Sequence, residues 1–147
     1  MNSNLQKAVE ILDNSRYTCV LCKGEQILTT EKRGVLPLVE WLEAGKDLKG
    51  FSAADKVVGK GVAFLYVLAG VKEVYAPVMS EKAVELLARY GIHSFCEQKV
   101  EAVRNRQGTG NCPMEEATKD IEKPEEAWYT IKETLKKLTE SKKEQTA

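Results

Sequence analysis

Hydrophobic positions change their spacing several times along this chain, and each change marks an element. Leu5, Val9 and Leu12, with Ala8 and Ile11 on the same side, recur at helical spacing and predict a short amphipathic helix over Asn2–Asn14. Tyr17–Cys22 and Gln26–Thr29 are β-rich runs joined by Lys23-Gly24-Glu25, which predicts a hairpin and an antiparallel edge. Val35–Ala44 carries Leu38, Trp41 and Leu42 at helical spacing, with Pro37 in the first turn and Gly45 just past the end. Phe51–Gly70 is the most apolar segment. Val57, Val58, Val62, Phe64, Leu65, Val67 and Leu68 cover most of a helical circumference, so it reads as the central buried helix. Gly59 and Gly61 would weaken that helix by roughly 1 kcal/mol each against alanine. They imply close approach by a strand or a ligand.

Farther on, Glu73–Val78 reads as a strand, Ser80–Tyr90 as a helix closed by Gly91, and His93–Cys96 as the next strand. That order and spacing describe a βαβ unit with parallel strands. Lys99–Arg104 reads as a short fifth strand, followed by a glycine-containing loop, a helix opened by Pro113, and a break at Lys123-Pro124. The last helix, from about Glu125 to Thr139, has Ala127, Trp128, Ile131, Leu135 and Leu138 on one stripe. These elements predict an α/β fold, a three-layer α/β/α sandwich around a mixed five-stranded sheet. Residues 1–122 form the domain, 123–140 a helix packed on it or at an interface, and 141–147 a frayed tail.

Composition narrows the partners. A chain of 147 residues with 43% hydrophobic content suits one ordinary core. Lysines plus arginines number 22 and so do aspartates plus glutamates, so no general basic field draws the protein onto nucleic acid or membrane. Anion binding must then be local. With no basic-then-apolar leader pattern and no membrane-length apolar run, the expected location is the cytoplasm. Cys19 and Cys22 form a C-x-x-C on a strand, where residues three apart face opposite ways and cannot chelate one ion. Cys96 and Cys112 lack zinc-knuckle spacing, and His93 is the only imidazole, so neither a metal nor another cofactor is expected.

The candidate chemistry gathers in Arg104–Glu116. Arg104 and Arg106 enter it, two glycines loosen the backbone, and Cys112 precedes Pro113 with Glu115 and Glu116 in the first helical turn. Proline and acids at those positions signal a helix start, which puts Cys112 at the N-cap. Loop amides and arginines suit a phosphate or carboxylate, and a thiol at a helix start favours the thiolate. Arg104, Asn105, Arg106, Thr109, Gly110 and Lys56 are the candidate ligand-binding residues, with Cys112 and Asp55 the candidate catalytic pair. Asp55 also has a structural reading: Ser52-Ala-Ala-Asp55 has the spacing of a capping box. Lys56 and Lys60 likewise read as a solvated edge one helical turn apart.

Phe51-Ser-Ala-Ala-Asp-Lys-Val-Val-Gly59, Glu73-Val-Tyr75 and Gly108-Thr-Gly-Asn-Cys-Pro-Met-Glu115, in this order, resemble a family of small prokaryotic proteins catalogued as domain of unknown function eighteen ninety-three. That family is similar in fold to the cytidine deaminases, and the resemblance implies an α/β/α sandwich over about residues 1–122 without supplying an activity. Zinc deaminases need H/C-x-E at the start of the central helix and P-C-x-x-C at the start of the next. Here the corresponding stretches read Ala53-Ala-Asp55 and Pro77-Val-Met-Ser-Glu81, so the zinc ligands are missing and, of the catalytic residues, only the acid at Asp55 remains.

Three function classes follow. The first is a small-molecule-binding protein on a zinc-free deaminase-like fold, taking a nucleotide-like or other anionic ligand. The second is a metal-independent enzyme with Cys112 as nucleophile and Asp55 as acid/base. The third is a structural or interaction module that uses the last helix or a sheet edge, including as a homo-oligomer.

Overall fold

The computed structural model describes residues 1–103 and 112–146. Its first helix, α1 (Ser3–Asp13), starts at Asn2, whose Oδ1 accepts the Leu5 N–H at 2.7 Å. The same Oδ1 accepts the Ser52 hydroxyl at 3.1 Å, while the Asn2 N–H donates to Glu73 at 2.9 Å. One cap thus satisfies a helix end and pins it to the sheet.

The hairpin forms as its pattern predicts. Strands β1 (Cys19–Lys23) and β2 (Gln26–Thr30) pair antiparallel, with Lys23 opposite Gln26 across a turn that uses Gly24 at φ 60°. Helix α2 (Leu36–Glu43) follows with Pro37 in its first turn.

The segment read as one central helix divides. Ser52–Asp55 is a strand, β3; Val57–Val58 is a short strand, β4; and the helix, α3, runs only over Lys60–Ala69. A strand buried on both faces has no alternating pattern, so Phe51–Val58 looked like more of the same buried helix. Ser52 and Asp55 therefore do not form a capping box, and Asp55 does not open the central helix. Lys56 and Lys60 are not a helical pair either, because Lys56 lies outside α3. The real start is marked by Gly59, and the real end by Gly70 at φ 75°.

Strand β5 (Glu73–Ser80) lies parallel to β3 and β4 on one side and to β6 (His93–Val100) on the other. The βαβ unit is completed by α4 (Glu81–Arg89), capped by Ser80, whose hydroxyl accepts the Ala83 N–H at 3.1 Å. His93–Cys96 and Lys99–Arg104 are not two strands: β6 runs unbroken through Gln98 to Val100. Among the described residues the sheet has six strands, not five: β3 and β4 are added, while the two strands expected over His93–Arg104 are one. β4 continues β3 in the same register, with Ala54 opposite Tyr75 and Val57 opposite Val78. Asp55 and Lys56 thus fall beside Ala76 and Pro77, and Pro77 has no amide hydrogen to give the ladder there.

Alternation assigns the two faces. Val20, Cys22, Ala54 and Tyr75 pack against Leu5, Ala8 and Leu12 of α1. Cys19, Leu21, Ala53, Val74 and Ala76 face the larger core built with α2, α3, α4, α5 (Pro113–Thr118) and α6 (Pro124–Thr146). Cys19 and Cys22 indeed point to opposite faces. Burying each large apolar side chain of α3, such as Phe64 or Leu65, contributes about 1.5–3 kcal/mol. Ala127 and Ile131 seat α6 on that core, and the helix extends to Thr146. Among the described residues no helix is long and apolar enough to cross a membrane.

Candidate functional site

Because β1 runs antiparallel to both β2 and β3, Cys19 lies opposite Thr30 on one side and Asp55 on the other. The approach to β1, the exit from β2 and the end of β3 therefore meet at one end of the sheet. The N-terminal turn of α3 arrives at the same place. Between them is a cleft of about 530 Å³, ordinary for a small-molecule site. Arg16 and Thr18 line it from the approach to β1, Arg33, Gly34 and Val35 from the link before α2, and Asp55, Lys56 and Val57 from the end of β3 and the start of β4. Gly59, Gly61 and Val62 at the start of α3, Val103, and Cys112, Met114 and Glu115 complete the wall.

Asp55 is the buried acid of this cleft. It shares the face of Ala53, so it turns toward α3, where the Tyr66 hydroxyl donates to its Oδ2 at 2.6 Å. The Cys19 thiol lies 3.2 Å from the same hydroxyl. Burial pushes the Asp55 carboxyl up to about 6, against the opposing pull of the Tyr66 hydroxyl, the Val57 and Lys56 amides and Cys19. Burial and the Asp55 charge likewise hold the Tyr66 phenol and the Cys19 thiol well above their usual ranges, so both stay protonated as donors. All buried side-chain polar atoms among the described residues find hydrogen-bond partners. Asp55 can thus accept a hydrogen bond or carry a proton near neutral pH.

Around the opening stand three exposed cations, Arg16, Arg33 and Lys56. None of them forms an ion pair among the described residues. The cleft thus presents positive charge outside, an acid inside, and Val35, Val57, Val62, Val103 and Met114 between.

Glu115 has a different task from the one its position suggests. Instead of serving its own six-residue helix, its buried carboxylate crosses to α3: Oε1 accepts the Lys60 N–H, and Oε2 accepts the Val103 N–H at 3.2 Å. It caps α3 in place of a side chain at Gly59, whose missing Cβ makes room for it. At Gly61 an added Cβ would make only ordinary van der Waals contact with Met114, so it is Gly59 whose lack of a side chain admits α5. Reciprocally, the Lys60 ammonium donates to the Lys119 carbonyl at 2.8 Å and lies 5.7 Å from the Phe64 ring centre. Burial lowers the pKa of that lysine, and it serves the packing of α5 without lining the cleft.

Of the residues singled out from sequence, Asp55, Lys56 and Cys112 line this one cleft. Cys112 precedes α5, is half-buried, and gives its N–H to the Val103 carbonyl at 2.9 Å. Arg104, Asn105, Arg106, Thr109 and Gly110 lie outside the described residues. Sequence reasoning missed Arg16, Arg33, Tyr66 and the capping role of Glu115. The arginines were legible in principle: the hairpin brings their two links to one end of the sheet. Tyr66 was hidden inside a segment that looks apolar all round.

The chain matches, over residues 7–135, the family described as a domain of unknown function, DUF1893. A crystal structure of a DUF1893 family protein, TM1506 from Thermotoga maritima, superposes with a TM-score of 0.81 at 26% identity, covering 89% of this chain and 90% of that one. No curated protein matches the sequence significantly.

Proposed function

The chain belongs to the DUF1893 family, and from that premise we propose that it is a small-molecule-binding protein on a zinc-free, cytidine deaminase-like α/β fold. Its ligand is nucleotide-like or another small anion. The observation that carries this reading is the cationic rim of Arg16, Arg33 and Lys56, without ion pairs among the described residues, around the buried Asp55. The guanidinium groups take the charged end by bidentate hydrogen bonds. The valine walls cover an apolar or aromatic body, and Asp55 accepts from an amine or ring N–H.

Thermal shift tests it with inorganic phosphate and adenosine monophosphate as probes. At ligand concentrations near a hundred times Kd, linkage adds about 2.7 kcal/mol, which raises Tm by several degrees. The rise is expected to disappear in Arg16→Ser/Arg33→Ser, whose replaced side chains are exposed. For the nucleotide it should grow as pH increases through about 6, where Asp55 ionises. A panel of anions that leaves Tm unmoved in wild type and variant alike would remove the reading.

A second reading rests on Cys112 and Asp55 lining the same cleft. In this reading the Cys112 thiolate sulfur adds to a carbonyl carbon of the substrate, the C–O π bond opens as the C–S bond forms, and protonated Asp55 gives its proton to the oxygen. Iodoacetamide is then expected to label Cys112 ahead of the exposed Cys96 and well ahead of buried Cys19 and Cys22. Labelling of Cys96 as fast as Cys112 in the folded protein would count against this.

A further inference from the structure

On the side away from the hairpin, the sheet ends at β6, whose only strand neighbour among the described residues is β5. This edge has eight residues and contains neither glycine nor proline. His93, Cys96, Glu97, Gln98 and Lys99 are all exposed, so among the described residues no helix covers this edge. A long, uncovered strand presents a row of unpaired backbone donors and acceptors, a ready template for another strand. We propose that a second copy of this chain pairs with β6 edge to edge, antiparallel about Gln98, and joins the two sheets into one two-fold dimer.

The charge pattern selects both occupant and register. A closed two-fold contact uses the same patch twice, so the strand must complement itself when reversed. Centred on Gln98, reversal sets Glu97 of each copy opposite Lys99 of the other, giving two opposite-charge pairs on one face. Moving the centre one residue either way places Glu97 or Lys99 opposite its own copy, which repels. On this face Phe95 packs toward α1. Surface lysines often protect sheet edges from pairing, but here the lysine meets a glutamate at the favoured register. The other edge strand, β2, is five residues of Gln-Ile-Leu-Thr-Thr and has no charge pair to select a register.

The same register sets Cys96 opposite Val100 of the other copy. Directly opposed antiparallel residues have Cα atoms about 4.5–5.5 Å apart, within the range a disulfide spans.

Sedimentation velocity on the full chain is expected to show a species of twice the 16.4 kDa chain mass. Lys99→Glu should weaken that dimer at least about ten-fold, and Glu97→Lys combined with Lys99→Glu should restore it, since the swap keeps opposite charges facing. Val100→Cys should give a reducible covalent dimer that is lost when Cys96→Ser is added. A monomeric mass at high concentration overturns the proposal. So does a dimer indifferent to Lys99→Glu, or one whose Val100→Cys variant does not cross-link although circular dichroism shows it folded.

Discussion

Replacing Tyr66 with phenylalanine is expected to destabilise the protein strongly at pH 7.5 and much less at pH 5. The phenol donates to Asp55 Oδ2, and a hydrogen bond to an ionised group contributes about 1.5–3 kcal/mol. That contribution is present only while Asp55 is charged. The sign follows from the direction of the shift. Burial raises the folded carboxyl from 3.8 to about 6, so the folded chain holds this proton more tightly than the unfolded one. The stability this group contributes is therefore complete below about pH 4 and is lost as pH rises through about 6, a fall of roughly 3 kcal/mol. In Tyr66→Phe the ionised form loses a donor, so the fall is larger and extends to higher pH. Phenylalanine keeps the shape of the ring, which separates this effect from a cavity. Urea unfolding of both proteins at pH 5, 6 and 7.5 reads the difference directly. Parallel stability curves would show that Tyr66 does not hold the Asp55 charge.

The second large effect is at Gly59. Its φ of −97° and ψ of −177° suit any residue, so alanine meets no backbone strain there. Instead the new Cβ would lie 2.4 Å from Glu115 Oε1 and 3.2 Å from Val103 Cγ2. The carboxylate must leave, and with it the partner of the Lys60 and Val103 amides, each costing about 1–3 kcal/mol when stranded. Gly59→Ala is therefore expected to cost about 2–4 kcal/mol, and Glu115→Ala a similar amount. Because both break the same contact, adding Gly59→Ala to Glu115→Ala should cost less than about 1 kcal/mol. Equilibrium unfolding of the four proteins gives the coupling, and additive losses would contradict the crossed cap.

These two sites also show where sequence pattern stops being informative. Helical periodicity located α1, α2, α4 and most of α6, because each has one face in the core and one outside, while β-rich runs bounded by turn residues located the hairpin and β5. Phe51–Val58 defeated the same reasoning. Ala53, Ala54 and Val58 are buried on a strand covered on both faces, so nothing alternates. Gly59 looked like a weakness within a helix when it was the helix's start. The division could have been suspected from Asp55-Lys56, a charged pair inside an otherwise apolar run. At the site, Asp55 and Cys112 stand out in the sequence by residue type, and both line the cleft. The company they keep was not legible, because Tyr66 and Glu115 reach the cleft through contacts 11 and 55 residues apart in sequence. Arg16 and Arg33 required the pairing of β1 with both neighbours before they could be placed beside Asp55.

The binding reading meets its most direct test in mass spectrometry of freshly purified protein, first under native and then under denaturing conditions, with Arg16→Ser/Arg33→Ser alongside. The cationic rim over Asp55 predicts a mass excess on the native wild-type chain that disappears on denaturation, belongs to a small anionic molecule, and is absent from the double variant. A retained excess that maps to Cys112 would instead support the covalent chemistry. A clean native mass for the wild-type chain, unchanged after incubation with phosphate or adenosine monophosphate, would contradict the proposal that this cleft is a ligand site.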